Sequence, residues 1–302
     1  MIGVGPMAAL HAQVLSHMPG VRLAWCASRE QAKAQAFADR FHISRARVID
    51  EIDASPQADA LWIVAPCHVM AGLAERFGGL GLPMFLEKPV GLSLTETTRT
   101  AQAVTSPNMV GVNRRFYEVI IQARRLMREA GGVRGVEVHM PEDLTRPTPT
   151  HADITRQQWQ FANSIHLIDL FRFFGGEVSR VINNNLVLGE ADRAYSALLN
   201  FENGGCGIYN AQWYAPGGWR VAAYGNDITI VLQPLERAMI QRRGQPVENI
   251  DASGADTRFK PGLWGQAEAF IALANGKALP EGAADLNDYL RSVALAQSLT
   301  DC

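Results

Sequence analysis

The fold is decided by the stretch Gly3-Val-Gly5-Pro-Met-Ala8, which leads into the helix-like segment Ala8–His17. Its spacing is that of the Gly-x-Gly-x-x-Gly/Ala fingerprint of dinucleotide-binding folds. Gly3 allows a tight turn, Gly5 lets a pyrophosphate approach the backbone, and the small Ala8 lets the helix pack closely on a sheet. The free amides at the helix N-terminus then face the phosphates. The sequence therefore predicts a dinucleotide site built from Gly3, Gly5 and Ala8.

Residues 1–116 alternate short apolar runs with helical patterns, which is typical of βαβ units and a parallel sheet. The predicted strands are Val21–Cys26, Ala60–Ala65, Met84–Leu86 and Met109–Val112, and further helices are predicted at Gln31–Phe41, Val69–Leu80 and Ser93–Val104. A doubly wound sheet also needs a central first strand, but only Met1 and Ile2 precede the glycine turn. Either this strand is a stub, or the true start lies a few codons upstream.

Residues 117–302 have a different pattern. The strand candidates are Val133–His139, Val181–Val187, Tyr195–Phe201, Cys206–Trp213, Val221–Tyr224 and Ile228–Gln233, and the helix candidates are Glu118–Ala130, Ser164–Phe174, Trp264–Ala274 and Asp285–Leu299. Strands joined by turn signals such as Glu202-Asn-Gly204 favour a largely antiparallel sheet. The segment Pro141–His151 is predicted to be a loop. We place the domain boundary at Phe116.

The composition excludes several classes of protein. Of the 302 residues, 47% are hydrophobic and 19% are charged, which is typical of globular proteins. The net charge of −2 leaves no electrostatic footprint for nucleic acid or an anionic membrane. The chain shows neither a signal-peptide pattern nor an apolar stretch of the roughly 20 residues that span a bilayer, so we expect a cytoplasmic protein. The four cysteines are scattered without ligand spacing, and no metal site is predicted.

The choice of cofactor depends on the residues that follow the predicted strand Val21–Cys26. An acidic residue at this position binds the ribose 2′-hydroxyl of NAD, whereas Ser28-Arg29 suits a 2′-phosphate. The alternative for Arg29 is a solvated residue at a helix start. The sequence favours NADP(H) over NAD(H).

Glu87-Lys88-Pro89 follows the predicted strand Met84–Leu86, at the edge of the sheet where ligands bind. Pro89 favours an extended backbone at Lys88, and a lysine ammonium there can stabilise charge that grows on a substrate oxygen. The alternative is a surface lysine before a turn.

These motifs recur with Asp59-Ala-Leu-Trp-Ile-Val-Ala-Pro66, Asn113-Arg-Arg-Phe116 and His166-Leu-Ile-Asp169 in an order and at spacings that resemble the glucose–fructose oxidoreductase, inositol dehydrogenase and rhizopine-catabolism family (Gfo/Idh/MocA). The resemblance implies an α/β protein with an N-terminal Rossmann domain, whose first strand is truncated here. It also implies a C-terminal α+β domain with a large open-faced, mostly antiparallel sheet, and a small-molecule substrate bound between the domains.

The resemblance also implies hydride transfer between a nicotinamide and a sugar-like substrate or a small carbonyl or imine. By position, Lys88 orients and polarises the substrate oxygen and His166 exchanges its proton. Histidine suits this role because it titrates near neutral pH, although a helix histidine can equally be buried in a core. Pro66, Glu87 and Lys88 join the cofactor contacts.

Three residues are candidate substrate contacts: Arg115, Trp159 and Asn163. A structural ion pair for Arg115 and a core position for Trp159 are the alternatives. Members of the family typically carry an Asp four residues before the histidine, but this chain has Ala162 there. A carboxylate from a different segment, such as Glu142 or Asp143, could substitute for that Asp in space.

Two other functions stay open at this point. One is a non-catalytic sensor or regulator that keeps the dinucleotide fold, and the other is a lyase or glycosidase with transient oxidation at a retained NAD(P). We also expect a homodimer or homotetramer formed through the C-terminal sheet, because its strands carry apolar residues on both faces.

Overall fold

A computed structural model describes residues 1–52, 57–144, 153–187, 189 and 193–301. The helices are α1 (Pro6–Leu15), α2 (Gln31–Phe41), α3 (Cys67–Phe77), α4 (Leu94–Ala103), α5 (Glu118–Glu129), α6 (Asp153–Gln157), α7 (Ile165–Gly175), α8 (Ala255–Arg258), α9 (Leu263–Ala274) and α10 (Leu286–Thr300). The strands are β1 (Cys26–Ser28), β2 (Ala46–Val48), β3 (Leu61–Ile63), β4 (Met84–Leu86), β5 (Asn108–Val110), β6 (Val133–Pro141), β7 (Val178–Val187), β8 (Arg193–Phe201), β9 (Cys206–Gln212), β10 (Arg220–Gly225), β11 (Ile228–Leu232), β12 (Arg237–Arg242) and β13 (Glu248–Asp251). Among the helices of the described residues, none is long and apolar enough to cross a membrane.

The chain divides into two compact units. The first comprises Met1–Asn113 and Arg258–Leu290, and the second comprises Arg114–Thr257 and Arg291–Cys302. The chain first passes from one unit to the other between Asn113 and Arg114, close to the boundary predicted at Phe116. The segment Arg258–Leu290, which the sequence analysis assigns to the second domain, belongs to the first unit in the structure.

The parallel sheet of the first unit is completed by Ile2. This residue forms parallel bridges to Ala27 of β1 and to Ile63 of β3, and its backbone N–H donates to the carbonyl oxygen of Trp62 at 2.8 Å. The order across the sheet is therefore β2-β1-Ile2-β3-β4-β5. This is the strand order of the dinucleotide-binding doubly wound fold, with its central first strand reduced to a stub. The predicted Rossmann architecture is confirmed.

Local patterns located most elements of this unit, but one strand is displaced. The prediction for β4 is confirmed at both ends, whereas the strand expected at Val21–Cys26 is found at Cys26–Ser28. The reason is that its parallel partner, β2, pairs only with these last residues. No strand was predicted for β2.

Helix α9 packs on the first unit although it is distant in the sequence. The ring of Phe270 lies edge-on to Trp62 and Phe85, with ring centroids 5.1 and 5.8 Å apart. Beyond this helix, the carbonyl oxygen of Ala284 accepts a hydrogen bond from the backbone N–H of Val110 at 2.7 Å. The returning segment thus covers apolar side chains of β3 and β4 and pairs with β5.

The second unit is built on an eight-stranded sheet with the order β13-β12-β11-β10-β6-β9-β8-β7. All neighbouring strands are antiparallel except β6 and β9, so the predicted mostly antiparallel sheet is confirmed. Strands β12 and β13 were not predicted. Residues 145–151 of the predicted loop at Pro141–His151 lie outside the described residues, and Pro141 itself ends β6.

The two faces of this sheet differ in burial. Helix α7 covers one face, where Phe171 meets Tyr209 edge-on with ring centroids 6.2 Å apart. On the other face Ile182, Leu198 and Ile208 lie side by side in register on β7, β8 and β9, and all three are exposed within the single chain. The sheet is therefore open on one side, as predicted.

Candidate active site

The glycine turn before α1 has a backbone that only glycine tolerates. Gly3 has a φ of +98°, and a Cβ atom there would lie 1.8 Å from the carbonyl oxygen of Val64. Gly5 is the N-cap of α1, and a Cβ atom built on it would meet nothing within 4 Å. Ala8 is 1% exposed and packs below the turn. The turn is thus tight at Gly3 and open in front of the helix at Gly5.

This open space fits a pyrophosphate. Helix α1 begins without a side-chain cap, with Pro6 in its first turn, so its leading amides are available to an anion. The helix dipole favours negative charge at this end. The turn therefore has the open space and the free amides that a pyrophosphate needs, and Gly3, Gly5 and Ala8 stay predicted cofactor contacts.

At the end of β1, Ser28 is followed by the surface residue Arg29. The backbone N–H of Glu30 donates to Ser28 Oγ at 3.4 Å, and the Glu30 carboxylate pairs with Lys33 Nζ at 2.6 Å. Arg29 is exposed, and among the described residues no carboxylate pairs with it. This arrangement leaves the Arg29 guanidinium available to an anionic ligand.

Glu87 contacts a protein side chain beside the cofactor cradle. Its Oε2 lies 3.0 Å from Nε2 of His11, and both side chains are buried. The His11 ring also lies edge-on to Phe85 at 5.2 Å. Glu87 therefore ties β4 to α1, a structural contact beside its predicted role in cofactor binding. Pro66, the other predicted contact, is the exposed N-cap of α3.

Lys88 lies at the carboxyl end of β4 and is partly exposed. Its peptide bond to Pro89 is cis. In a parallel sheet the carboxyl ends of all strands lie at the same edge, so Lys88 shares its edge with the glycine turn and with Ser28.

His166 belongs to the second unit, in the first turn of α7. A π-helical turn, Gln160–Ser164, precedes the helix, and such wide turns are frequent at functional sites. The histidine is 5% exposed, and its ring centroid lies 6.2 Å from that of Trp219. The guanidinium of Arg114 lies over the Trp219 ring, with its central carbon 5.5 Å from the ring centroid. His166 therefore lies next to the Trp219 indole, and the Arg114 guanidinium stacks on the same indole.

Glu142, just after β6, gathers three side-chain donors. Its Oε2 accepts from the indole N–H of Trp159 at 2.5 Å, and its Oε1 accepts from Nδ2 of Asn163 at 2.6 Å. The indole N–H of Trp219 reaches the same Oε1 at 3.3 Å. The structure therefore brings two predicted substrate contacts, Trp159 and Asn163, together around a carboxylate. Hydrogen bonds to a carboxylate from several donors are strong and orient their partners.

The carboxylate also affects the tyrosine beneath it. Burial raises the pKa of the Tyr209 hydroxyl well above its ordinary value, and the negative charge of Glu142 raises it further. Tyr209 is therefore a neutral hydroxyl in the floor of this cluster at physiological pH.

Arg115, the third predicted substrate contact, has a structural partner. Its Nε and Nη2 atoms donate to both carboxylate oxygens of Asp169 at 2.7 and 2.6 Å, and both side chains are buried. Ser292 Oγ donates to the same carboxylate and accepts from Arg172, each at 2.6 Å. This network braces α7, the helix that carries His166, which fits the structural alternative for Arg115.

Comparisons with known proteins bear on both units. Residues 1–113 match the GFO_IDH_MocA model, which describes an oxidoreductase family with an NAD-binding Rossmann fold. Inositol 2-dehydrogenase from Rhizobium meliloti (strain 1021) is 28% identical over 322 residues, which cover 99% of this chain and 94% of that protein. Residues 1–113 thus carry the Rossmann fold of the Gfo/Idh/MocA oxidoreductase family, and the chain as a whole is similar to inositol 2-dehydrogenase.

Solved structures agree with this assignment at the level of the fold. A putative NADPH-dependent oxidoreductase from Desulfitobacterium hafniense has a TM-score of 0.81 at 18% identity, with 98% of this chain and 92% of that chain covered. Levoglucosan dehydrogenase in complex with NADH and levoglucosan has a TM-score of 0.80 at 18% identity, with 99% and 94% covered. These comparisons confirm the resemblance found in the sequence, and they identify the chain as an oxidoreductase that binds a nicotinamide dinucleotide.

From the sequence, Trp219 is one of several tryptophans that could stack on a substrate ring or lie in a core, and Arg114 is not singled out. Tryptophan in a sheet domain is usually a core residue, and Trp213, which is fully buried, is an example. Exposure and contacts distinguish Trp219 from it, and neither is visible in a local pattern.

Proposed function

We propose that this protein is a Gfo/Idh/MocA oxidoreductase that transfers a hydride between NADP(H) and a carbon that bears a hydroxyl group, on a cyclic polyol or a sugar. Lys88 orients and polarises the substrate oxygen, and His166 exchanges its proton. The observation that carries the proposal is the position of the glycine turn and Lys88 at one edge of the parallel sheet, where dinucleotides bind. An ammonium at that edge meets the substrate beside the nicotinamide.

The substrate class is supported by the relatives and by the second unit. The relatives include proteins named inositol 2-dehydrogenase and scyllo-inositol 2-dehydrogenase (NAD(+)). Around His166 this chain offers the amide of Asn163, the indole of Trp219 and the guanidinium of Arg114. Hydrogen-bonding groups beside an aromatic face suit a ring that carries several hydroxyl groups.

His166 and Lys88 have different roles because their side chains differ in chemistry. The bound nicotinamide supplies the hydride acceptor or donor. His166 takes the hydroxyl proton when an alcohol is oxidised and returns it when the carbonyl is reduced, because imidazole exchanges protons near neutral pH. The Lys88 ammonium donates to the same oxygen and stabilises its partial negative charge.

Turnover tests this proposal directly. The protein is mixed with NADP⁺ or NAD⁺ and with myo-inositol, other cyclitols and aldoses, and the nicotinamide absorbance is followed. We expect oxidation of at least one polyol. If the protein binds the dinucleotide tightly but turns over none of these substrates, a non-catalytic sensor becomes the better interpretation.

The first prediction concerns the cofactor. We expect NADPH to bind at least about tenfold more tightly than NADH, because a charge-paired phosphate contact contributes roughly 1.5–3 kcal/mol. Changing Arg29→Asp should narrow or invert this preference, since a carboxylate repels the 2′-phosphate and accepts from a 2′-hydroxyl. Fluorescence titration with both dinucleotides measures the ratio. Arg22→Asp, a charge reversal at another exposed arginine of the first unit, is the matched control and should leave the ratio unchanged. Equal affinities in the wild type would contradict the prediction.

The second prediction concerns assembly through the open face of the sheet. We expect light scattering at micromolar concentration to give a dimer or tetramer of the 33.0 kDa chain. The row of Ile182, Leu198 and Ile208 supplies an apolar centre for the interface, and Leu198 is 56% exposed in the single chain. Leu198→Lys should therefore shift the protein toward the monomer, whereas Ile121→Lys, at an exposed position on α5 of the same unit, should not. A monomeric wild type would refute the assembly.

A further inference from the structure

The amide of Asn163 has only one possible orientation. An ionised carboxylate accepts hydrogen bonds and cannot donate, so the NH₂ group of Asn163 must face Glu142, as the 2.6 Å contact shows. The carbonyl oxygen Oδ1 then points away from Glu142. Among the described residues no donor reaches this Oδ1, and Asn163 is partly exposed. The residue therefore offers a hydrogen-bond acceptor to its surroundings.

Glu142 is held in its ionised form by side chains that can donate hydrogen bonds but cannot accept them. The indole N–H groups of Trp159 and Trp219 only donate, and they approach Oε2 and Oε1 respectively. A neutral carboxylic acid would turn its own proton toward one of the three donors. The two tryptophans thus favour the carboxylate, and the carboxylate in turn fixes the amide of Asn163.

This cluster lies beside His166. Trp219 contacts the His166 ring, and Asn163 lies three residues before His166 in the π-helical turn that leads into α7. The neighbouring position 162, where the family resemblance implies an Asp, carries an alanine whose methyl group cannot accept a hydrogen bond.

We propose that Glu142 is a positioning residue that holds Asn163 Oδ1 as the acceptor for a substrate hydroxyl, in place of the carboxylate missing at Ala162. This inference rests on the proposed function. It specifies the recognised group: a hydroxyl, which donates, is preferred over fluorine or an ether oxygen, which cannot. Because Asn163 is neutral, the acceptor adds no negative charge next to the substrate.

A single substitution, Glu142→Gln, should change the group that Asn163 presents to the substrate from an acceptor to a donor. The oxygen of the new amide keeps the shorter of the two indole hydrogen bonds, the 2.5 Å bond from Trp159, and the longer 3.3 Å contact with Trp219 is given up. Its NH₂ group then faces Asn163, whose amide turns over and presents Nδ2 instead of Oδ1. Adding Asn163→Asp restores an acceptor, because the glutamine NH₂ binds one carboxylate oxygen and leaves the other available.

The experiment measures kcat and KM for wild type, Glu142→Gln and the Glu142→Gln/Asn163→Asp double variant. The probes are myo-inositol and its monodeoxyfluoro analogues, in which one hydroxyl at a time becomes a fluorine that cannot donate. We expect the wild type to prefer the hydroxyl over fluorine at one ring position. In Glu142→Gln this preference should fall about 3–10-fold, the usual effect of one hydrogen bond, mainly through KM for myo-inositol. The double variant should recover most of it.

The controls separate positioning from loss of structure. Glu268→Gln, an exposed position on α9, should have no effect on the preference. Thermal unfolding and NADPH affinity should stay at wild-type values in all variants. Two results would overturn the role of Glu142 and leave the proposed function standing. One is an unchanged preference for hydroxyl over fluorine in Glu142→Gln at every ring position, and the other is a double variant that recovers none of the lost preference. A wild type that binds and oxidises no polyol would overturn the proposed function and this inference with it.

Discussion

Replacing His166 by alanine is expected to lower kcat for polyol oxidation by about 10²–10⁴-fold, the usual effect of removing a positioned general acid or base. The histidine is 5% exposed and is lodged beside Trp219, so a water molecule that replaces it has little freedom to act in its place. The affinity for NADPH should stay the same, because the dinucleotide cradle belongs to the other unit.

Steady-state rates and a fluorescence titration of NADPH together check this result. Added imidazole should restore part of the activity of His166→Ala, which a merely structural defect would not allow. His17→Ala, at an exposed histidine in the turn after α1, serves as the control and should retain full activity. A rate within a few-fold of wild type for His166→Ala would show that the proton goes elsewhere.

Replacing Lys88 by alanine should lower kcat by roughly 10²–10³-fold, because it removes a charged donor from the oxygen on which negative charge develops. Lys88→Arg should recover only a part of this loss, since the planar guanidinium presents its donors in a different geometry from the compact ammonium. The KM for the substrate should rise as well, because the same group orients it in the ground state.

The test uses the same assays, in both reaction directions. Lys277→Ala is the matched control, since this lysine is exposed in the turn after α9. A Lys88→Ala variant that keeps its rate but binds NADPH poorly would assign Lys88 to the cofactor alone and would remove it from the chemistry.

The parts of the fold that sequence predicts well depend on short-range rules. The glycine turn is one case, because a φ of +98° next to the Val64 carbonyl leaves no alternative to glycine at position 3. Strand β4 is another, since its apolar run is bounded by turn residues and buried on both faces. In both places the local signal and the tertiary structure demand the same residues.

The parts that sequence does not predict depend on distant partners. Arg115 looks like a site residue until Asp169, on another element, is seen to occupy its guanidinium. Strands β12 and β13, at one end of the large sheet, are short, and charged residues at their ends weaken the alternation of polar and apolar residues. The sequence names Glu142 only as one possible carboxylate, because its donors come from three separate segments.

The return of Arg258–Leu290 to the first unit has a consequence for synthesis on the ribosome. When Asn113 has left the exit tunnel, the sheet around Trp62 and Phe85 still lacks the Phe270 ring that will cover it. At the usual rate of translation, residues 114–257 take roughly 10–30 s to follow. During that interval the nascent chain exposes aromatic surface of a nearly complete nucleotide-binding unit, which makes it a natural client for chaperones that hold emerging apolar segments.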